Sequence, residues 1–290
     1  MLNMALQKQV KLNSLEQMLS GGLLLDSKFL REKGYSTSLV SHYVYSGRIE
    51  QIARGVYRRQ PGQSEWQQEM GKLTWQQAVV SLQTVLLRDP LYVGGLSALE
   101  LQGFAHFVQQ GAPTVHLYGP KPPPSWLHKL PLEAKFRYHN DRTLFGNEPI
   151  HHGLTSQSWK DDRNKGFIKV DEDHHFRSPA GPRGWPLTLS TPERAVLELL
   201  DELPDDESFG HADKIFEGLS VLVPRRVDKL LRDCTSIKVK RLFLFFACRH
   251  QHAWAKQIKP QDYELGSGNR VVAKEGRLDK QFKITVPSDL

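Results

Sequence analysis

A chain of 290 residues, 39% hydrophobic and 24% charged, has room for two domains with a sizeable core and the composition of an ordinary soluble protein. No stretch of about 18 apolar residues runs without a charge, which argues against a membrane-spanning helix. The net charge is +7, and residues 1–60 hold nine Lys/Arg against four Asp/Glu. Most of the basic surplus therefore sits in one fifth of the chain, a distribution that points to a polyanionic partner. The N-terminus shows no apolar stretch with a cleavage site, so a cytoplasmic protein is expected. The two cysteines, Cys234 and Cys248, fall in predicted helices and are expected to be reduced, buried and inert.

In chain order, Leu12, Leu15 and Leu19 recur at helical spacing, and Gly21-Gly22 ends that helix. Leu23-Leu24-Leu25 reads as a short strand. Asp26 or Ser27 then caps a second helix over Lys28 to Lys33, closed by Gly34. Ser36 caps a third helix to about Ser46, with Gly47 at its end. A hairpin follows, with Ala53-Arg54-Gly55 as its turn and Gly55 at positive φ. Three helices and a hairpin in sequence are the layout of a winged helix-turn-helix.

On the third helix, Leu39, Val40, Tyr43 and Val44 should face inward. The outward set is then Thr37, Ser38, Ser41, His42 and Tyr45. Hydroxyls, an imidazole and a phenol can hydrogen-bond base edges or phosphates in a major groove, and no carboxylate on this helix would repel phosphate. Arg48, Arg54, Arg58 and Arg59 lie on the hairpin or at its ends, where a wing reaches flanking phosphates or a narrow minor groove. The other reading of the same residues is a small helical module with a solvated basic face, because many winged helices bind protein.

Gln60-Pro-Gly-Gln-Ser64 is a plausible linker. Beyond it, the periodicity predicts a long amphipathic helix from Trp66 to Leu87, a strand at Tyr92-Val93 and a helix from Ser97 to Phe104. Further strands are expected at Thr114–Tyr118, Lys135–His139 and Phe167–Val170. From Thr191 the pattern turns helical over Pro192–Leu203, Ala212–Leu219, Pro224–Cys234 and Val239–Ala255. Asn269 to Val286 reads as a closing hairpin around Lys274-Glu-Gly-Arg277. The expected fold class is α+β: residues 1–60 as the winged helix, and residues 65–290 as a larger mixed α/β domain ending in helices and a β-hairpin.

Several segments resemble a known family. Gly34 to Tyr57 resembles the N-terminal winged helix of AbiEi-type antitoxins. Tyr92-Val-Gly-Gly-Leu-Ser-Ala-Leu99, Leu189 to Leu200 and Val239 to Ala247 resemble the same family in the same order. The resemblance implies the antitoxin half of a bacterial type IV toxin–antitoxin system linked to abortive phage infection. It implies repression of the protein's own operon through inverted repeats in promoter double-stranded DNA. It also implies a C-terminal domain that counters a nucleotidyltransferase-like toxin, typically without a stable complex. The family's DNA-binding face maps onto Ser38, Ser41, His42, Tyr45, Arg48, Arg54, Arg58 and Arg59. The alternative is a winged-helix regulator whose large domain senses a ligand or a protein.

Catalysis is not expected. Gly94-Gly95-Leu-Ser97 after a strand resembles the opening of a nucleotidyltransferase site, but such a site needs a nearby Asp-x-Asp pair, and no Asp lies between Asp89 and Asp141. Close packing at the glycines and a cap from Ser97 explain the segment better. The adjacent pairs His151-His152 and His174-His175 would point to opposite faces of a strand and make poor chelates. No metal and no cofactor are therefore expected. Asp161-Asp162, Asp171-Glu-Asp173 and Asp205-Asp-Glu207 read as loop charges or solvated helix starts. Lys238-Val-Lys-Arg241 reads as the charged opening of a core helix rather than a second nucleic-acid patch.

Overall fold

The computed structural model describes residues 10–16, 18–19, 22–59, 72–87, 90–104, 111–146, 153–159, 168–170 and 185–290. The chain forms two compact units. The first comprises Met1–Leu91, Pro123–Phe136 and Ser156–Thr188, and the second comprises Tyr92–Pro122, Arg137–Thr155 and Leu189–Leu290.

In the first unit, helix α1 (residues 10–16) buries Leu12 and Leu15, and Leu19 just beyond it is also buried. Each such leucine contributes roughly 2 kcal/mol of transfer free energy. Strand β1 (Leu25–Asp26) runs directly into helix α2 (Ser27–Glu32), whose N-cap Asp26 accepts a 2.8 Å hydrogen bond from the Phe29 amide. Helix α3 (Thr37–Tyr45) starts from Ser36, whose hydroxyl accepts from the Leu39 amide at 3.3 Å. The hairpin is β2 (Ile49–Ala53) and β3 (Val56–Arg59). Its strands join β1 in an antiparallel sheet of order β1-β3-β2, with Leu25 opposite Tyr57 and Glu50 opposite Arg58. Three helices with a three-stranded wing make a winged helix-turn-helix, as the sequence predicts.

Helix α4 (Trp75–Val80) begins later than the expected Trp66. Residues 72–74 are not helical, because Thr74 and Gln77 form a reciprocal capping box. The expected turns before residue 72 lie outside the described residues. The helix then widens into a π-turn over Ser81–Val85. There the Ser81 hydroxyl donates to the Gln77 carbonyl at 2.5 Å and accepts from the Leu24 amide at 2.8 Å. That second bond, and a 3.3 Å bond from the Trp126 indole to Asp26, tie the winged segment to the rest of its unit.

In the second unit, β4 (Tyr92–Val93) pairs antiparallel with β5 (Thr114–Gly119) and parallel with β9 (Trp185–Ser190), with Val93 opposite both Leu117 and Leu189. Strand β6 (Lys135–Asn140) is the other neighbour of β5. Strands β7 (Leu154–Trp159) and β8 (Ile168–Val170) pair antiparallel through residues that belong to the first unit. Neither β7 nor β9 is predicted by the sequence pattern. Helix α5 (Gly95–Leu101) packs on α6 (Pro192–Asp201), and α6 packs in turn on α9 (Ile237–His250). Helices α7 (Phe209–Gly218) and α8 (Pro224–Asp233) complete the layer. Phe216, Phe243 and Phe246 are fully buried among them.

Three expectations need correction. Helix α9 stops at His250 with Gln251 in the left-handed region, and a 3₁₀ turn covers Ala253–Gln257, so the predicted run to Ala255 is two elements. The closing hairpin is β10 (Arg277–Asp279) and β11 (Ile284–Val286). Its turn is therefore at residues 280–283, where Asp279 accepts from the Phe282 amide at 2.7 Å, and not around Lys274-Glu-Gly-Arg277. Cys234 is buried as expected, but Cys248 is exposed, because it falls on the outward side of α9.

Candidate nucleic-acid interface

The first unit carries the surface that the sequence singles out. On α3, Val40 and Tyr43 are buried, while Thr37, Ser38, Ser41, His42 and Tyr45 are all exposed, Tyr45 to 93%. Those five positions fall within an arc of roughly 140° at the helical repeat, so they form one stripe. The apolar side is set by sequence spacing; the polar side is what remains free to meet a partner.

The wing presents its charge unevenly. Arg48, Arg54 and Arg59 are exposed. Arg58 is not in the same state: its Nε donates to Glu50 Oε2 at 2.9 Å across the β2–β3 pair, and its side chain is only 15% exposed. The expected turn at Arg54-Gly55 is present, with Gly55 at φ +75°. The Gly55 carbonyl accepts from the Ser27 amide at 2.8 Å and from the Ser27 hydroxyl at 3.2 Å. A Cβ on Gly55 would stand 2.9 Å from that hydroxyl. The tip of the wing is thus clamped to the start of α2, a contact with no signal in local sequence pattern. Helix α2 also exposes Lys28 and Arg31, which the sequence reading did not single out.

The second unit buries several of its charges. Along α6, Arg194 and Glu198 are fully buried and paired, Nε to Oε1 at 2.8 Å. Glu198 also accepts from the Gly95 amide at 2.9 Å and the Ser190 hydroxyl at 2.8 Å. The Arg194 guanidinium donates to the Tyr92 hydroxyl and lies over the Tyr92 and Phe145 rings. Burial pushes the Glu198 carboxyl up, against the pull of Arg194 and its hydrogen bonds. Burial, then the nearby Glu198, holds the Tyr92 phenol well above its usual range. Gly94 and Gly95 are required here: a Cβ on Gly94 would overlap Glu198 and Tyr118, and Gly95 has φ +53°. Ser97 is not the cap expected of it. It lies inside α5, donating to the Thr114 carbonyl at 3.1 Å and accepting from the His116 amide at 3.0 Å.

Beside this network, His116 on β5, His139 on β6 and Glu202 at the end of α6 converge. Tyr118 donates to Glu202 Oε1 at 2.9 Å and stacks on His139. Burial keeps His139 below the usual imidazole range, with Glu202 opposing. The histidine pairs named from sequence, His151-His152 and His174-His175, lie outside the described residues, as do Asp161-Asp162 and Asp171 to Asp173. The basic run at the start of α9 is structural. Arg241 donates to the carbonyls of Leu265, Gly266, Gly268 and Lys283, and Lys238 to those of Asp201 and Leu203.

A family model described as "Transcriptional regulator, AbiEi antitoxin, Type IV TA system" matches residues 112–287, and one described as "Transcriptional regulator, AbiEi antitoxin N-terminal domain" matches residues 8–110. The chain belongs to the AbiEi antitoxin family of transcriptional regulators. A crystal structure of the RV2827C protein from Mycobacterium tuberculosis aligns with 94% of this chain and 88% of that one, at 13% identity and a TM-score of 0.49. None of the curated proteins compared with the chain matches it. Among the described residues, no helix is long and apolar enough to cross a membrane.

The four AbiEi-like segments now have places. Gly34 to Tyr57 is α3 and most of the wing. Tyr92 to Leu99 and Leu189 to Leu200 bring Tyr92, Gly95, Ser190, Arg194 and Glu198 into one buried network. Val239 to Ala247 is the apolar body of α9. Family signature and structural necessity therefore coincide in the second unit, whereas in the first the signature includes an exposed face.

Proposed function

We propose that this AbiEi-family protein binds promoter double-stranded DNA through its winged helix and represses its own operon at inverted repeats. The observation that carries this is the stripe of five exposed polar side chains on α3, free of carboxylates, on the same module as exposed Arg48, Arg54 and Arg59. In the complex, α3 enters the major groove, where Ser38, Ser41, His42 and Tyr45 meet base edges and phosphates. The wing arginines supply most of the affinity through phosphate neutralisation and counterion release, and the α3 face supplies a modest specificity. Residues 1–60 are the DNA-reading part and residues 65–290 the effector part. The effector part counters a nucleotidyltransferase-like toxin functionally, without a stable complex and without catalysis of its own, in the cytoplasm.

Gel-shift titration of the full-length protein on its own upstream DNA tests the first half. Specific binding should fall steeply with salt, and Arg54→Ala should weaken it several-fold. A wild-type protein that fails to distinguish this DNA from random duplex sinks the operator assignment. The second half is tested by co-expression with the product of a neighbouring nucleotidyltransferase-like gene. Growth rescue is expected from wild type and from an Arg48→Ala/Arg54→Ala variant alike. Loss of rescue in that folded variant would mean that the two activities are not divided in this way.

A further inference from the structure

The buried triad of the second unit holds three lone-pair donors against one another. His116 Nδ1 lies 3.1 Å from His139 Nε2 and 3.0 Å from Glu202 Oε1, and His139 Nε2 lies 3.8 Å from the same oxygen. With each ring's proton on its outward nitrogen, both inward nitrogens present a lone pair beside the carboxylate oxygen; with a proton on His116 Nδ1, the three atoms share one hydrogen bond instead. A cation at the centre satisfies all three.

The dimensions fit a particular class of cation. A triangle with sides of 3.0, 3.1 and 3.8 Å has a point about 2 Å from each corner, the distance at which zinc holds imidazole nitrogen and carboxylate oxygen. A His₂Glu set with borderline nitrogen donors suits zinc and its neighbours rather than magnesium or calcium, which prefer all-oxygen shells. One supporting contact is of the kind a metal centre uses. Tyr118 donates to Glu202 at 2.9 Å and orients the carboxylate. Ser97 fixes the His116 backbone, and Arg137 pairs with Asp206 at 2.6 Å, tying β6 to the segment just after Glu202.

We propose that His116, His139 and Glu202 bind one zinc-type divalent cation, which clamps β5, β6 and the end of α6 together. The site is independent of the DNA-binding face and of what that face reads. Sequence spacing hides it, because the two histidines are 23 residues apart on neighbouring strands and the carboxylate is contributed by a distant helix end.

The test uses the full-length chain without an affinity tag. Apo-protein prepared with a chelator is incubated with excess zinc, desalted and assayed for metal by mass spectrometry, and separately titrated with cobalt(II) as a visible probe. The expected result is one equivalent of zinc per chain, a cobalt spectrum of low coordination number, and a higher melting temperature in the loaded protein. His139→Gln, at the more exposed corner, should keep the fold and lose at least tenfold in metal affinity. Replacing both His174 and His175 by Asn should change nothing. Wild type that retains less than about a tenth of an equivalent overturns the proposal, as does a His139→Gln variant that binds zinc like wild type.

Discussion

Helix α3 in the first unit and helix α6 in the second place their polar side chains in opposite directions. Helix α3 keeps its hydroxyls, imidazole and phenol in solvent and buries only Val40 and Tyr43. Helix α6 buries Glu193, Arg194 and Glu198 along with its leucines. A polar group held in water costs nothing to leave unpaired, so α3 can keep its face available for a partner. A polar group taken into the core must find partners within the chain, so α6 uses its charges to specify one packing of α5, β4 and itself.

Breaking that contrast at its strongest point gives the largest expected effect. Glu198→Ala leaves the buried Arg194 without its carboxylate and should cost about 3–5 kcal/mol in denaturant-induced unfolding. Tyr45→Ala, at a side chain 93% exposed, should stay within about 0.5 kcal/mol of wild type. Equal losses in the two variants would show that the inward and outward polar sets do not differ as described.

The next effect concerns the join between wing and helix. Gly55→Ala forces a Cβ onto a residue at φ +75° and to 2.9 Å from the Ser27 hydroxyl. A destabilisation of about 1–2 kcal/mol is expected, with the melt of the whole protein as the readout. An unchanged melting temperature would mean that the wing tip gives way and is not clamped.

Local pattern marks most helices and strands of both units, but not the partners that hold the second together. Leu12, Leu15, Leu19, Val40 and Tyr43 announced their burial by spacing, and Ser36 and Gly55 marked a cap and a turn, because all of these depend on neighbours within a few residues. The exposed face of α3 followed from the same periodicity. The second unit depends on partners far apart in sequence. Gly95 meets Glu198 across 103 residues and Tyr118 meets Glu202 across 84, and neither pairing has a local signal. The eight residues from Arg58 to Glu50 span a hairpin legible in the sequence, yet the ion pair across it has no signal there.

That ion pair divides the wing arginines. Arg54 is exposed at the tip, whereas Arg58 is held by Glu50. Arg54→Ala should weaken DNA binding several-fold and lower the salt slope by about one. Arg58→Ala should do less. Glu50→Gln should tighten binding by roughly twofold, because it removes a carboxylate from the wing. If Arg58→Ala proves the more damaging substitution, the Arg58–Glu50 pair opens on DNA and the bound wing differs from the free one.

The smallest effect lies at the start of α7 and depends on pH. Glu207 accepts from His211 at 3.0 Å and from the Ser208 amide at 2.6 Å. The hydrogen bond to Glu207, outweighing burial, raises His211 above its usual value of 6.5, with the Glu100 carboxyl adding to the rise. Against its own burial, the hydrogen bonds from His211 and Ser208 lower Glu207 below its usual 4.5. A raised histidine contributes stability that is complete below pH 6.5 and is lost as pH climbs through its folded value. A lowered carboxylate contributes stability that is complete above pH 4.5 and is lost as pH drops through its folded value. The pair is therefore strongest between about pH 4.5 and 6.5, and stability should decline on both sides of that window. Urea unfolding at about pH 6 and pH 8.5 should show wild type losing on the order of 0.5 kcal/mol more than His211→Asn over that interval. Equal losses in the two proteins would place the proton release elsewhere. A greater loss in the variant would mean that the neutral ring is the form the fold prefers.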